Sequence, residues 1–355
     1  MFVAHTLVVP SPLHARCTAE EHTMEHDEHY MRRALDVARH ARLRSRPNPW
    51  VGALVVTASG EVFEGATAEP GGPHAEVAAL RLAGAKAQGA TLYCTLEPCN
   101  HTGRTGPCTE AIIEARIARV VVGIEDPDDK VRGTGIARLR AAGIDVTVGV
   151  CESDVAHQLR AYVHHRRTGR PYVVAKMAMT IDGRVTSPSP SERWLTGVPA
   201  RTRVHELRAE SDAILVGAGT VRADDPELTT RLVEGPSPRR VVLGSAPATA
   251  KVHPCLEWSG ELTDLLDHLG SEGVLQLLVE GGPRVVTSFE RADLVDEFIV
   301  HLAGVVAGGS DSPGLLAGSG DATAADVHRG DIVSVTPYGD DLEIIFNPRR
   351  TKAMQ

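Results

Sequence analysis

The segment EPCNHTGRTGPC, Glu97 to Cys108, holds two cysteines nine positions apart around a loop of Gly, Thr, Arg and Pro. The tetrapeptide PHAE stands upstream at Pro73 to Glu76. Zinc in a hydrolytic site takes three protein ligands and leaves one position for water, and a His with two Cys is one such set. His74 precedes a short helix pattern, Cys108 follows Pro107 at the start of another, and Cys99 follows Pro98 at a strand end. A helix N-terminus stabilises an anion, which favours a thiolate at Cys108. Gly103, Gly106 and Pro107 let the intervening loop turn back tightly. A fold that serves this pattern has to bring these chain ends to one point.

Glu76, two residues after His74, has the position of a general acid/base that does not hold the metal. Zinc deaminases use such a Glu to move a proton from activated water to the leaving amine, with the signature H-x-E followed by P-C-x-x-C. Here the second thiol lies nine residues after the first instead of three. A lone His and two Cys are more often structural, because Cys is among the most buried residue types. H-x-E, P-C and a further Cys in this order on an α/β pattern favour zinc instead. Cys94 falls inside the strand pattern TLYCTL and reads as core, while His101 is a competing ligand. Cys17, Cys151 and Cys255 carry no functional expectation.

A chain of 355 residues has room for two domains, and 42% hydrophobic with 23% charged residues is ordinary for a globular protein. Six cysteines at this length do not make a disulfide framework, so metal binding or burial in a reducing compartment is expected. The net charge is −9 and the densest basic run, HHRRTGR at His164 to Arg170, is short, which argues against a nucleic-acid surface. No apolar run has the length of a membrane span. Residues 1–24 lack a basic start followed by an apolar core, so they read as a loose extension and the cytoplasm is the default compartment.

Apolar spacing predicts a helix over His26 to Leu43, then strands at VGALVV, ATLYCTL, ARVVVGI and IDVTVGV, separated by helices at His74 to Ala83, Cys108 to Ile117 and Ile136 to Ala142. This is an α/β layered domain over residues 25–150. Ser153 to Thr168 reads as one connecting helix, within a connecting segment at 151–170. A second α/β series then occupies 171–350: strands in PYVVAKMAMTIDGRV, DAILVG, RRVVLG, VLQLLVEGG and DEFIVHLAGVV, helices at ARTRVHELRAE and at Arg284 to Arg291, and a terminal hairpin around Gly339-Asp340. No internal repeat relates the halves.

Gly217-Ala218-Gly219 follows a strand, but Arg222 breaks G-x-G-x-x-G, and a lone G-x-G is weak. VEGGPRVVTSF, Val279 to Phe289, is a stronger signal. Gly281 and Gly282 permit close backbone approach, Pro283 suits a first helical turn, and a helix N-terminus offers N–H groups to a phosphate. A tight strand-to-helix turn with no ligand is the alternative. Arg208 and Arg231 could grip a substrate phosphate as forks, or Arg208 could be a solvated helix residue.

These residues together resemble the bifunctional riboflavin-biosynthesis deaminase/reductase family. The resemblance runs from Glu28 to about Pro348 and rests on PNPWVG at Pro47, PHAE at Pro73, TLYCTLEPCNHTGRTGPC from Thr91, AMTIDGRV at Ala178, WLTG at Trp194, TVRADDPELTTR from Thr220 and LVEGGP at Leu278. The nine-residue cysteine spacing is that family's own. The resemblance implies a cytidine-deaminase-like N-terminal domain and a dihydrofolate-reductase-like C-terminal domain. Zinc would serve hydrolytic removal of a pyrimidine 2-amino group, and NADPH would serve reduction of a ribosyl group to ribityl. Carried onto this chain, the zinc ligands are His74, Cys99 and Cys108, Glu76 is the proton shuttle, and Asn48 is a pyrimidine-site residue.

In the second half the resemblance implies NADPH contacts at Ala178, Trp194, Thr220, Asp224 and the turn Gly282, Pro283, Arg284, Val285, Val286, Thr287 and Ser288. Substrate contacts would be Arg208, Leu228, Arg231 and Glu280, the arginines near the phosphate, with Lys176 and Asp182 lining the same site. Two departures stand out. Glu192 occupies a position where the family has a small polar residue, and Leu243 to Val274 reads as shortened and Pro/Ala-rich where relatives carry a further strand and helix. The expected partner is a small phosphoribosylaminopyrimidine, with no nucleic acid and no membrane, and a homo-oligomer, dimer or tetramer, is expected. One alternative is a base deaminase acting on nucleic acid. The other keeps the zinc deaminase but makes the reductase-like half a decayed binding or assembly module.

Overall fold

The computed structural model describes residues 12–101, 106–129, 131–185, 194–308, 313–318 and 329–349. The chain divides into two compact units, Met1–Arg160 and Ala161–Gln355. Among the described residues no helix is long and apolar enough to cross a membrane.

The first unit is built on a five-stranded sheet in the order β2-β1-β3-β4-β5. Its strands are β1 (Gly52–Val56), β2 (Val62–Ala66), β3 (Thr91–Leu96), β4 (Arg119–Ile124) and β5 (Asp145–Val148). β1 pairs antiparallel with β2 and β3, while β3, β4 and β5 run parallel. β1 is buried along its whole length and β3 and β4 in all but their first residues, as expected for strands covered on both faces. Two glycines show where the covering helices sit. A Cβ on Gly52 would lie 2.0 Å from the Ala34 carbonyl oxygen of α1 (Pro12–Arg39), and one on Gly65 would lie 2.2 Å from that of Ala75 in α2 (Ala75–Ala83). Gly52 pairs with Ala66 and Ala53 with Gly65. Neighbouring strand residues point to opposite faces, so α1 and α2 lie on opposite faces. The later helices are α3 (Cys108–Glu114), α4 (Thr134–Ala141) and α5 (Glu152–Gln158).

The second unit carries an eight-stranded sheet in the order β12-β13-β11-β6-β10-β7-β8-β9. β6 (Tyr172–Thr180), β7 (Ala213–Gly217), β8 (Arg239–Leu243), β9 (Leu256–Trp258), β10 (Gln276–Val279) and β11 (Glu297–Ala303) are parallel. The hairpin of β12 (Gly330–Tyr338) and β13 (Asp341–Pro348) adds antiparallel to β11. Its helices are α6 (Arg160–Thr168), α7 (Val198–Glu210), α8 (Ala218–Asp224), α9 (Leu262–Ser271) and α10 (Pro283–Arg291). Val173, Leu215, Leu265, Leu277, Val286 and Phe289 are among the residues of one buried core. β10 inserts between β6 and β7, although β7, β8 and β9 come before it in the chain. That places the starts of α8 and α10 side by side at the C-terminal ends of β7 and β10. Ligands of open parallel sheets bind at such ends.

Several expectations need correction. Residues 243–274 are not stripped of structure: they form β9 and α9. Leu265, Leu266 and Leu269 of α9 are buried, and a Cβ on Gly270 would lie 1.9 Å from the Gly169 carbonyl oxygen. The Pro/Ala-rich composition misleads because it belongs to the loop before β9. The connecting segment is two helices, α5 and α6, divided at Leu159. The short strand β2 escaped notice because VFEGA is half-buried with an exposed Glu64. The polar stretch after Gly219 contains α8, and α1 begins at Pro12, well before His26.

Candidate active sites

Three element ends build the first site. α2 starts immediately after His74, which occupies its N-cap with extended backbone. α3 starts at Cys108, after Pro107. Cys99 follows the end of β3, and its carbonyl accepts the Thr109 N–H at 3.2 Å, which ties the loop to the first turn of α3. The Cys108 N–H points at Cys99 Sγ at 3.4 Å, so the start of α3 favours a thiolate at Cys99 and not, as the sequence suggested, at Cys108. His74 Nδ1 lies 3.3 Å from Cys108 Sγ and 3.6 Å from Cys99 Sγ. All three donor atoms lie within 4.8 Å of one another.

These distances fit zinc. Zn–N near 2.1 Å and Zn–S near 2.3 Å at a tetrahedral angle place nitrogen and sulfur about 3.6 Å apart. The thiol chemistry agrees. The hydrogen bond from Cys108 pulls Cys99 down to about 4, and the same contact together with burial pushes Cys108 far up. One ionised sulfur therefore keeps the other protonated, and a divalent cation between them removes the conflict. His74, Cys99 and Cys108 would hold it, with Nδ1 as the imidazole donor.

Glu76 is buried, 3% exposed, on the first turn of α2. Burial, then the Cys99 charge, pushes its carboxyl up to about 7. A carboxyl in that range can both hold and release a proton near neutrality. Ala75 between His74 and Glu76 is fully buried and its carbonyl presses on Gly65, so the middle position of H-x-E is filled by a small packing residue. Asn48 sits half-buried in the turn before β1, its N–H on the Ser45 carbonyl. The Gly52 N–H reaches Thr95 Oγ1 at 3.2 Å, so this turn leads to the sheet end from which Cys99 emerges.

Cys94 is buried in β3 with its thiol towards the Val121 carbonyl, and burial holds it well above the usual thiol range, so it is core. His101 is exposed and stands outside the donor cluster. Glu97 was missed as a residue with a job. Its carboxylate accepts N–H groups from Asp126, Gly133, Gly135 and Ile136 at 2.9–3.2 Å and so fixes the start of α4 beside the cysteine loop. Its place between β3 and Pro98-Cys99 was the available signal.

The second unit distributes its expected residues over six segments. Gly282 caps α10 with extended backbone, Pro283 takes the first turn and no side chain caps the helix. A Cβ on Gly281 would lie 2.6 Å from Val285, and one on Gly282 would lie 3.7 Å from Thr220 Oγ1, so Thr220 of α8 stands beside the α10 turn. Arg284 and Ser288 are exposed on α10 and Val285 is half-buried, while Val286 and Thr287 are buried in it. Asp224 ends α8 exposed. Ala178 is half-buried in β6, and Trp194 is 58% exposed with the Arg201 guanidinium 5.5 Å from its ring centre. Leu228 is buried with a φ of 55°, a conformation that a leucine side chain disfavours. Such positions cluster at ligand sites. Glu192 lies outside the described residues.

Arg208 and Glu280 do not stand as two independent substrate groups. Arg208 Nε and Nη2 reach the two Glu280 oxygens at 2.8 and 2.7 Å, and its Nη1 donates to the Thr229 carbonyl. Burial opposes ionisation of Glu280, but Arg208 outweighs it and holds the carboxyl low. Lys176 is half-buried, and desolvation lowers it while Glu280 pulls the other way. Arg231 is half exposed and donates to Glu227 and Thr229. Asp182 is exposed and accepts from Thr180 Oγ1 and the Ala307 and Gly308 N–H groups, which hold it well below the usual carboxylate range. It organises the loop after β11.

A buried carboxyl beside a His/Cys/Cys set, on a five-stranded mixed sheet, defines a zinc-dependent deaminase, here joined to a parallel-sheet unit with a nucleotide-type strand-to-helix turn. Residues 24–124 match the cytidine and deoxycytidylate deaminase zinc-binding region, and residues 171–344 match the RibD C-terminal domain. The chain is 37% identical over 359 residues to the riboflavin biosynthesis protein RibD of Escherichia coli strain K12, covering 89% of this chain and 98% of that one. Acinetobacter baumannii RibD, form 1, superposes with a TM-score of 0.86 at 33% identity, covering 92% of this chain and 100% of that one. The Thermotoga maritima diaminohydroxyphosphoribosylaminopyrimidine deaminase/5-amino-6-(5-phosphoribosylamino)uracil reductase superposes at 0.81 with 30% identity, covering 92% and 100%. The chain belongs to the RibD family of bifunctional riboflavin-biosynthesis enzymes. The second half matches its family's C-terminal domain over residues 171–344, so the decayed-module alternative has no support.

Proposed function

We propose that the two halves act in succession on one small phosphorylated substrate. Residues 25–150 would remove the 2-amino group of 2,5-diamino-6-(5-phosphoribosylamino)pyrimidin-4(3H)-one by hydrolysis. Residues 171–350 would reduce the ribosyl group to give 5-amino-6-(5-phosphoribitylamino)uracil, and 151–170 connect the two. The observation that carries the reading is the convergence of His74, Cys99 and Cys108 within 4.8 Å beside the buried Glu76. Zinc, when bound, supplies a lowered water pKa and Lewis-acid polarisation. The Glu76 carboxylate would accept a proton from the water oxygen and return it to the leaving amine nitrogen.

NADPH supplies a hydride to the sugar C1′ when bound. The chain's own part in that step is positioning. The α10 turn, with Thr220 and Gly282 adjacent, would hold the cofactor, aided by Ala178, Trp194 and Asp224. Lys176, Leu228, Arg231 and Glu280 would face the substrate, Arg208 orienting Glu280. The same reading takes the protein as a cytoplasmic homo-oligomer, dimer or tetramer, with no nucleic-acid partner. The experiment is to supply the diaminopyrimidine phosphoribosyl substrate with and without NADPH and weigh the products. Deaminated product alone without NADPH, and ribityl product with it, is expected. Product unchanged in mass in both arms rules the reading out.

A further inference from the structure

We propose that His253, Cys255 and Glu257 form a second metal site, for a divalent transition ion of the zinc class, at the edge of the eight-stranded sheet. The proposal is independent of the deaminase and reductase assignments. The three residues alternate in HPCLEW, leading into and along β9, the strand at the sheet's end. Cys255 and Glu257 flank the first residue of the strand, and the bend at Pro254 before it carries the His253 imidazole to the same point as the thiol and the carboxylate. Their donor atoms lie within 4.8 Å of one another, the same convergence as at the deaminase centre.

The geometry around each donor is that of a ligand set. His253 Nδ1 lies 3.5 Å from Cys255 Sγ, against the roughly 3.6 Å expected for nitrogen and sulfur on one tetrahedral zinc. His253 Nε2 lies 3.0 Å from the Pro247 carbonyl oxygen. A carbonyl accepts only, so Nε2 carries the proton and the Nδ1 lone pair faces the thiol, the arrangement metal-bound histidines commonly adopt. Glu257 Oε1 accepts the Ala246 N–H at 2.9 Å, which orients the carboxylate. Both outer partners, Ala246 and Pro247, belong to the loop between β8 and β9. Gly244 closes the base of that loop by donating to the Trp258 carbonyl at 2.8 Å. An ion there would clip the β8–β9 loop to the edge strand with one nitrogen, one sulfur and one oxygen donor, leaving a position for water or an added ligand. His253 and Glu257 are exposed, unlike Glu76 and Cys108, so the ion would exchange more readily than at the first site.

The test is metal stoichiometry on the full chain, stripped by chelator and reloaded. Wild type is expected to take up two zinc equivalents, the second removed more easily by competing chelator. Cys255→Ser and His253→Ala are each expected to take up one while releasing ammonia at the wild-type rate. Glu257→Gln, the mildest change, is expected to weaken the second equivalent at least tenfold. Cobalt supplies an independent reading: subtracting the Cys255→Ser titration from wild type is expected to leave a sulfur-to-cobalt charge-transfer absorption. Saturation of wild type at one equivalent, with no difference absorption, overturns the proposal and reduces the triad to a hydrogen-bonded thiol.

Discussion

The two sites differ in how their charges balance. In the deaminase unit two thiols press on one imidazole with a buried carboxyl close by, and two ionised sulfurs coexist only around a cation. In the reductase unit two buried charges already neutralise each other, Arg208 against Glu280 in a two-pronged pair 12% exposed on either side. The first is a site whose chemistry is defined by the cation its donors can hold. The second is a scaffold in which ligand contacts fall to backbone, helix starts and exposed side chains. Damage should therefore differ in kind: loss of metal and chemistry in one, loss of architecture in the other.

The largest effect is expected at the metal ligands. Cys108→Ser should lose the deaminase zinc and with it ammonia release, while Cys94→Ser, a change in the strand core, keeps both. Chelation should likewise stop deamination yet leave reduction of supplied deaminated intermediate intact. Equal zinc and equal ammonia release in the two cysteine variants would remove Cys108 from the ligand set.

Next comes Glu76→Gln. It should keep zinc and lower deamination by about 10²–10⁴-fold, the usual contribution of a positioned proton carrier. Reduction of the deaminated intermediate should not change. Loss of zinc together with activity would mean that Glu76 holds the metal's surroundings instead of moving protons.

The contrast between the sites also explains what could be read from the sequence. His74, Glu76, Cys99 and Cys108 were legible because each sits at the end of one element, where Pro98, Pro107 and the helix starts declare the local geometry. The parallel strands were legible because both their faces are buried, giving unbroken apolar runs such as AILVG. Glu97 was not legible, since its partners lie about thirty or more positions downstream. The Arg208–Glu280 pair was hidden for the same reason, 72 positions apart and joined only through the order of β6, β10 and β7. Arg203, Glu343 and His301 form another such buried set: β11–β13 pairing sets His301 Nε2 3.0 Å from Glu343, and Arg203 reaches Glu343 from α7. Residues 243–274 misled because a three-residue strand leaves almost no pattern.

The third effect separates architecture from ligand contact. Arg208→Ala leaves the Glu280 carboxylate buried without its partner, and breaking a buried pair on one side costs about 3–5 kcal/mol. The variant should unfold at lower temperature and denaturant, with reduction lost in parallel and deamination retained at low temperature. Adding Glu280→Gln should restore part of the stability, because the stranded charge is gone. A variant with wild-type stability and only weakened substrate binding would return Arg208 to a phosphate-gripping role.

The smallest expected effect belongs to Arg231, and it defines the other end of the comparison. Its side chain is 47% exposed, and its partners Glu227 and Thr229 lie within four residues, so nothing buried depends on it. Arg231→Ala should leave unfolding unchanged to within about 0.5 kcal/mol, as for a surface change. A guanidinium meeting a substrate phosphate at the surface is a charge-assisted contact weakened by solvent, and hydrogen bonds to charged groups contribute about 1.5–3 kcal/mol at most. The expected loss in kcat/KM for reduction is therefore about tenfold, near the lower end of that range. It should appear in KM, because the phosphate is remote from the carbon that receives the hydride. It should also shrink as ionic strength rises, since exposed charges are screened over roughly 8–10 Å at ordinary salt. Steady-state NADPH oxidation with the deaminated intermediate, at two salt concentrations, reads all of this. A fall in kcat at unchanged KM, insensitive to salt, would place Arg231 against the reacting sugar and not its phosphate.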